Sequence, residues 1–381
     1  MKLRNLFITG CLFLGICACG GGNDDPTAPE PKPLPTPTPT PTPDPNPTPD
    51  TSVSFYKGAD ISWVTEMEKD GKKFYQASGK ETDCFELLKT LGMNAIRLRV
   101  WVNPENAYGN YSNQTDVVAK AKRAKAAGMD VMIDFHYSDF FADPGKQTKP
   151  EAWKNKSLAE LKTAVADHTT AVLKAVKDAG VTPKWIQIGN ETRNGMLWPE
   201  GQLWDEKGDL ANGWSNYAGL SNAGYNAAKA IFADAAVMVH QNNAWEDLDW
   251  WFKKFKAAGG KFDMIGLSHY PQAEADKTWQ NVNQLALNHI QSLANTYKCK
   301  VMVCEVGVKT NANESLAAQI LSAFMTEAKK INGCAGVFYW EPQVYGGWKP
   351  AYYQTLNWNA YDMGAFNSSG KPSKVMDAFK D

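Results

Sequence analysis

The chain has 381 residues, 40 Lys and Arg against 41 Asp and Glu, a net charge of −1, and 14 Trp. So even a balance argues against nucleic acid or an anionic membrane as the main partner and, more mildly, against a polyanionic sugar, each of which calls for a basic surface; a neutral substrate fits better. Four of the seven Cys (84, 299, 304 and 334) lie beyond residue 52 with no CxxC spacing and no Cys/His cluster, so a structural zinc site is not expected.

Residues 1–18 read as a secretory signal. Met1-Lys2-Leu3-Arg4 is a charged start, and the apolar run Leu6 to Leu14 is too short to span a bilayer. Ile16-Cys17-Ala18-Cys19-Gly20 resembles a bacterial lipobox with Cys19 as acceptor; Cys11 also fits the pattern, and ordinary signal cleavage is the alternative. Gly20 to Asp25 form an acidic leader of the kind that directs some Gram-negative lipoproteins to the outer surface. Between 26 and 49, Pro occupies twelve of twenty-four positions, which favours polyproline II and builds no core. At about 3.1 Å per residue it would reach roughly 70 Å. The segment 19–52 is therefore a leader and stalk, and the expected location is the cell surface of a Gram-negative bacterium, with membrane contact only through lipid on Cys19.

All 14 Trp fall in 53–381, which shows no second linker. Strand-like runs at 57–63, 94–101, 129–136, 184–190, 235–241, 262–270, 300–306 and 334–340 alternate with helical patterns. The clearest helix lies over 157–180. Ser157-x-x-Glu160 is a capping box, Leu158, Leu161, Val165, Val172 and Val176 repeat at helical spacing, and Gly180 is a stop. Segments near 115–128 and 312–331 behave alike. Eight alternating units predict an α/β fold, a single (β/α)₈ barrel, and no G-x-G-x-x-G follows the first strand to suggest an open nucleotide-binding sheet.

In such a barrel chemistry sits at the C-terminal ends of the strands. Those ends read Asp60 to Trp63, Arg97 to Trp101, His136-Tyr137, Asn190-Glu191, Gln241-Asn242-Asn243, His269-Tyr270, Glu305 and Trp340. Glu191 and Glu305 each terminate an apolar run, and two carboxylates at one rim are what glycoside hydrolysis uses: a proton donor to the leaving oxygen and a carboxylate facing the anomeric carbon. Each could instead be the first solvated residue after a strand. Asn190 can bond a sugar 2-hydroxyl. Arg97 and Tyr270 are candidate donors to an ionised Glu305, and Glu191 should then hold its proton to higher pH. Arg97 could equally be a barrel ion pair, and His136 a strand-end hydrogen-bonding residue. Trp101, Trp340 and Trp348 are candidate sugar-stacking faces, with core packing as the alternative. Asp60 and His269 complete the candidate binding set.

The segments Gly58-Ala59-Asp60-Ile61-Ser62, Ile96 to Pro104, Asp134-Phe135-His136-Tyr137-Ser138-Asp139 with Ala142-Asp143-Pro144-Gly145, Gly189-Asn190-Glu191 with Gly195 to Pro199, Ser268 to Pro271, and Glu305-Val306-Gly307 together resemble glycoside hydrolase family 53, the endo-β-1,4-galactanases. The resemblance covers nearly all of 55–381. It implies a (β/α)₈ barrel, a retaining mechanism with Glu191 as acid/base and Glu305 as nucleophile about 5–5.5 Å apart, β-1,4-galactan as substrate, no cofactor, and a monomer. The chain departs from the family at Phe140-Phe141, where Thr-Trp is usual, which reduces the stacking area at one subsite. It departs again at His269, where Tyr is frequent. The calcium site of some bacterial members is not expected, because Gly307 to Ser315 is short and lacks an Asp-rich series. Other readings are a mannanase or cellulase of a related barrel, or a non-catalytic glycan-binding lipoprotein. Cys299 and Cys334 precede adjacent strands, so either a disulfide or two free thiols is expected, and Cys304 should face the helix layer because Glu305 faces the mouth.

Overall fold

A computed structural model of the chain describes residues 55–104, 109–271, 277–310 and 313–380. The signal, Cys19 and stalk assignments, and part of the Gly307 to Ser315 loop, fall outside them. Eight parallel strands, β1 (Tyr56–Asp60), β2 (Ala95–Val100), β3 (Asp130–Phe135), β4 (Trp185–Ile188), β5 (Ala236–Gln241), β6 (Met264–His269), β7 (Val301–Val306) and β8 (Cys334–Trp340), pair in chain order and close, β8 returning to β1. This is the (β/α)₈ barrel that the alternating pattern predicted. The helix Leu158–Asp178 starts on the expected capping box, with the Ser157 N–H donating to Glu160 Oε2 at 2.7 Å and the Glu160 N–H to Ser157 Oγ at 3.4 Å. Its inward stripe of Leu161, Val165, Val172 and Val176 is fully buried. Burial of each such side chain stabilises the fold by about 1.5–3 kcal/mol.

The inside of the barrel follows the two-residue period of a strand. Ala95, Met132, Trp185, Met238, Met302 and Phe338 fill its lower part. Two residues further along their strands stand Arg97, Asp134, Gln187 and His240, all fully buried. The interior thus turns from apolar to polar towards the C-terminal ends, where buried charge must be paired and hydrogen-bonded.

Strand β7 breaks the period. Its ladder with β6 passes from Leu267↔Val303 directly to Ser268↔Glu305, so Cys304 is the extra residue of a bulge. Both neighbours consequently point inward. The Cys304 thiol lies 3.4 Å from Met238 Sδ, inside the barrel, contrary to the helix-layer position expected for it, and Glu305 still reaches the mouth. Gly266 makes room, since a Cβ there would meet Cys304 Sγ at 2.8 Å. Cys299 and Cys334 are free thiols. Cys334 pairs in register with Val301, which leaves Cys299 two residues short of its partner position, and the Cys334 thiol turns to the Gly336 carbonyl at 3.9 Å. The disulfide alternative is not realised.

Candidate active site

Both glutamates come to one cleft of about 220 Å³ at the C-terminal mouth, walled by His136, Phe141, Asn190, Tyr270, Trp340 and Trp358. Two turns deliver them. After β4 the chain takes left-handed conformations at Gly189 (φ 79) and Glu191 (φ 46). A non-glycine residue held there costs of order 1–3 kcal/mol and is found where surrounding structure fixes it for a purpose. Glu305 is delivered by the β7 bulge.

Their hydrogen-bond partners differ. Glu305 accepts from Arg97 Nη1 on Oε1 at 2.9 Å and from the Tyr270 hydroxyl on Oε2 at 2.8 Å. Burial raises its pKa above the usual carboxylate range, and the Arg97 charge and the Tyr270 hydrogen bond offset only part of that. Tyr270 keeps its own proton, because burial and the Glu305 charge raise its pKa well above the usual range. Gly307 permits the contact, since a Cβ there would meet the Tyr270 ring at 2.8 Å. Glu191 opens on the cleft but is otherwise walled by protein. Burial first, and the Glu305 charge second, push its carboxyl up to about 8, with only a partial offset from the Ser268 hydroxyl. Both carboxyls are raised, but only Glu305 has a cation and a hydroxyl donor on its oxygens, so of the two it is the better placed to carry the charge and Glu191 the proton, the division of labour that acid-assisted nucleophilic chemistry needs.

Arg97 organises the site from below. Its Nη1 also donates to Asp60 Oδ2 at 2.7 Å, its Nη2 to Asn190 Oδ1 and Asp134 Oδ2 at 2.9 Å each, and its Nε to Gln187 Oε1 at 3.1 Å. All five guanidinium N–H groups are used. The barrel ion-pair reading and the Glu305-donor reading of Arg97 are both correct. Asp60 is fully buried, bound to Arg97 and Ser62, so it supports the cleft without facing it.

The remaining candidates divide. His136 lines the cleft with both ring nitrogens committed, Nε2–H donating to Asp134 Oδ2 at 3.0 Å and Nδ1 accepting from the Ala142 N–H at 3.0 Å. It offers the cleft its carbon edge. Asn190 lines the cleft while donating to the Ala142 carbonyl at 2.8 Å. Tyr270 and Trp340 also face it. Three candidates do not. His269 points into the helix layer, fully buried, with Nε2 2.8 Å from Asn283 Oδ1 and its ring against Phe324; burial lowers its pKa to about 4. Trp101 is 1 % exposed and sits behind Phe141, ring centroids 5.2 Å apart. Trp348 is buried, packs on Trp63 and donates to Asp70 at 2.8 Å.

Sequence reasoning missed Ser268, His240, Gln187, Tyr353 and Trp358. His240 is held neutral by burial and by the Arg97 charge, and it joins Asn190 to Ser268 through contacts of 3.0 and 2.9 Å. The two-residue period marks His240 and Ser268 as inward and His269 as outward, a signal present in the sequence. Tyr353 stands in a five-residue helix (Ala351–Thr355) and Trp358 in the loop beyond it, both too short to carry a period that could be read. Phe141, the departure from the family pattern, does face the cleft, with the Arg99 guanidinium 4.6 Å from its ring centre.

Comparison with known proteins agrees with this fold. The glycosyl hydrolase family 53 model matches residues 56–379. The arabinogalactan endo-beta-1,4-galactanase of Cellvibrio japonicus is 35% identical over 315 residues, 76% of this chain and 80% of that one. The endo-beta-1,4-galactanase of Bacillus subtilis is 32% identical over 361 residues, 86% of this chain and 79% of that one. The catalytic domain of a family 53 enzyme from Ignisphaera aggregans superposes with a TM-score of 0.73 at 28% identity, over 88% of this chain and 98% of that one.

Proposed function

The chain belongs to glycosyl hydrolase family 53, and from that premise we propose that this glycoside hydrolase is an endo-β-1,4-galactanase, cleaving the galactan of type I arabinogalactan with retention of configuration. The observation that carries the reading is the pair Glu191 and Glu305 in one cleft, only Glu305 being bound by Arg97 and Tyr270, in a chain whose relatives are named for this substrate. Glu305, ionised between Arg97 and Tyr270, attacks the anomeric carbon as the glycosidic bond breaks, and Glu191 gives its proton to the departing oxygen. Glu191, now a carboxylate, takes a proton from water as that water displaces Glu305 from the sugar. The second Nδ2–H of Asn190 is suited to the 2-hydroxyl, and Trp340, Phe141 and Trp358 to sugar faces.

Incubation with galactan, mannan, xylan and cellulose tests the reading. Only galactan should be cleaved, its size falling rapidly before short products accumulate, and proton NMR of a fresh digest should show the β anomer first. A first-formed α anomer would mean inversion. The pH dependence follows from Glu191. Its proton is bound below about 8 and lost above, so kcat/KM on soluble galactan should decline as pH rises through about 8. A rate flat to pH 10 would remove Glu191 from the acid role.

The export assignment is part of the same proposal: lipid on Cys19 holds the enzyme at the cell surface and the Pro-rich stalk carries it outward. A single acyl chain binds membranes only marginally, whereas the several chains of a bacterial lipoprotein hold firmly. Cys19→Ala should release activity from the membrane fraction. Retention of that variant in the membrane would return the role to Cys11 or Cys17.

A further inference from the structure

Among the described residues, three large apolar side chains are more than a third exposed: Trp250 at 39 %, Leu356 at 38 % and Trp358 at 40 %. Trp358 lines the cleft and Leu356 is its near neighbour in sequence. Trp250 belongs elsewhere. It opens the helix Asp249–Ala257 after β5, whose inward face is Trp251, Phe252 and Phe255, all fully buried. The core thus has no use for an indole at 250, and an exposed Trp invites association unless it serves a contact.

Trp250 is one of three indoles gathered by different loops. Trp204 comes from a short hairpin (204–205 against 208–209) in the connection after β4, and Trp214 from the first turn of the helix that follows. Their ring centres lie 5.8 Å (Trp204 to Trp250), 6.3 Å (Trp214 to Trp250) and 6.3 Å (Trp204 to Trp214) apart. The group is fixed from behind. Trp251 Nε1 donates to the Arg193 carbonyl at 2.7 Å, and Trp214 Nε1 to Asp209 Oδ2 at 3.2 Å. Charged pairs surround it, Arg193 with Glu246 at 2.5 Å and Lys254 with Asp209 at 2.6 Å, both cations within 6.0 Å of the Trp250 ring centre.

Its place on the barrel is informative. In a closed ring of eight strands β4 and β8 stand opposite each other, so Trp358 after β8 and Trp204 and Trp214 after β4 flank the mouth from opposite sides. Arg193, which reaches the Trp250 ring, is two residues beyond Glu191. The direction from Trp358 past the two carboxylates points to the side of the barrel that carries this group. Indole faces bordered by ionic hydrogen-bonding groups suit a neutral pyranose, which presents an apolar C–H face and a rim of hydroxyls. In β-1,4-linked galactosyl units the axial O4 carries the glycosidic bond on one face, so the opposite face presents only C–H groups to rest on a ring.

We infer that Trp250, with Trp204 and Trp214, forms a second binding platform for β-1,4-galactan on the outgoing side of the cleft, engaged by long chains and not by short ones. The inference rests on the galactanase reading above. The test uses the full-length protein with Trp250→Ala and Trp250→Phe, a purified long galactan, and galactotriose. Trp250→Ala should raise KM for the polymer about 3- to 10-fold, the range of one aromatic contact, with kcat on the polymer and all constants for galactotriose unchanged. Trp250→Phe should recover most of the loss. In a galactan-containing native gel, Glu305→Gln should be retarded, and Glu305→Gln with Trp250→Ala less so. Unchanged polymer KM and retardation would overturn the platform while leaving the galactanase reading in place, as would an equal loss on galactotriose, which would show damage to the cleft itself. Wild-type protein inert on galactan would overturn the galactanase reading and, with it, galactan as this platform's ligand.

Discussion

Glu305→Gln is expected to lower kcat on β-1,4-galactan by several orders of magnitude, and Glu191→Gln by about 10²–10⁴-fold, each with an unchanged circular dichroism spectrum. The losses should differ in kind. An amide at 305 cannot form the covalent bond, so no choice of leaving group restores the first step. An amide at 191 removes only the proton donor, so a substrate with a nitrophenolate leaving group, which departs without protonation, should recover the first step and leave the second limiting. The environments motivate these assignments: two donors stabilise the Glu305 anion, while Glu191 is desolvated beside that anion and stays protonated to about 8. If either variant keeps more than about a tenth of wild-type activity, the role given to that residue is wrong.

Arg97→Met should have the next largest effect, on stability and catalysis together. Arg97 is fully buried and paired with Asp60, Asp134 and Glu305. Removing the cation while the carboxylates stay leaves buried charge uncompensated, at a cost of about 3–5 kcal/mol. Arg97→Lys should restore little, because an ammonium is a point charge and cannot fill the five directed bonds. The sign of the pH effect follows. Arg97 lowers the pKa of Glu305 against the pull of burial, so without it Glu305 ionises at higher pH and the acid limb of kcat/KM moves upward. Urea unfolding and a pH–rate profile measure the two effects separately. An unshifted acid limb in a folded Arg97→Met protein would show that Arg97 is structural only.

The aromatic lining shows how the departure at Phe140-Phe141 is accommodated. Phe141 takes a place in the wall where the family usually has Trp, and Tyr353 and Trp358 stand in the same cleft. The Phe140 ring packs 5.8 Å from Trp358, and Tyr353 5.1 Å from it. Stacking area lost at 141 is therefore supplied in part from the loop after β8.

The local periods of the chain were enough to specify the barrel. Alternation of short apolar runs with capped, 3.6-period helices has one compact solution when there are eight of each, and the strand-end rule then points to Glu191, Asn190, Arg97, Tyr270 and Trp340 at one rim, because strand direction and the two-residue pleat are backbone properties. His269 was legible too, as the outward neighbour of two inward residues, Ser268 and Tyr270. Other features are settled only by contacts between distant segments. The β7 bulge depends on how Val301–Val306 registers with both neighbouring strands, and it turns Glu305 inward beside Cys304 against the period that Met302 sets. The unlike surroundings of the two glutamates arise from Arg97 and Tyr270, contributed by strand β2 and the loop after β6. Which of the loop indoles face the cleft and which the core was decided by packing: Trp101 and Trp348 were drawn behind the wall against Phe141 and Trp63, while Trp358 stayed outside. A loop has no repeat from which its facing can be read, so only the folded chain assigns its side chains.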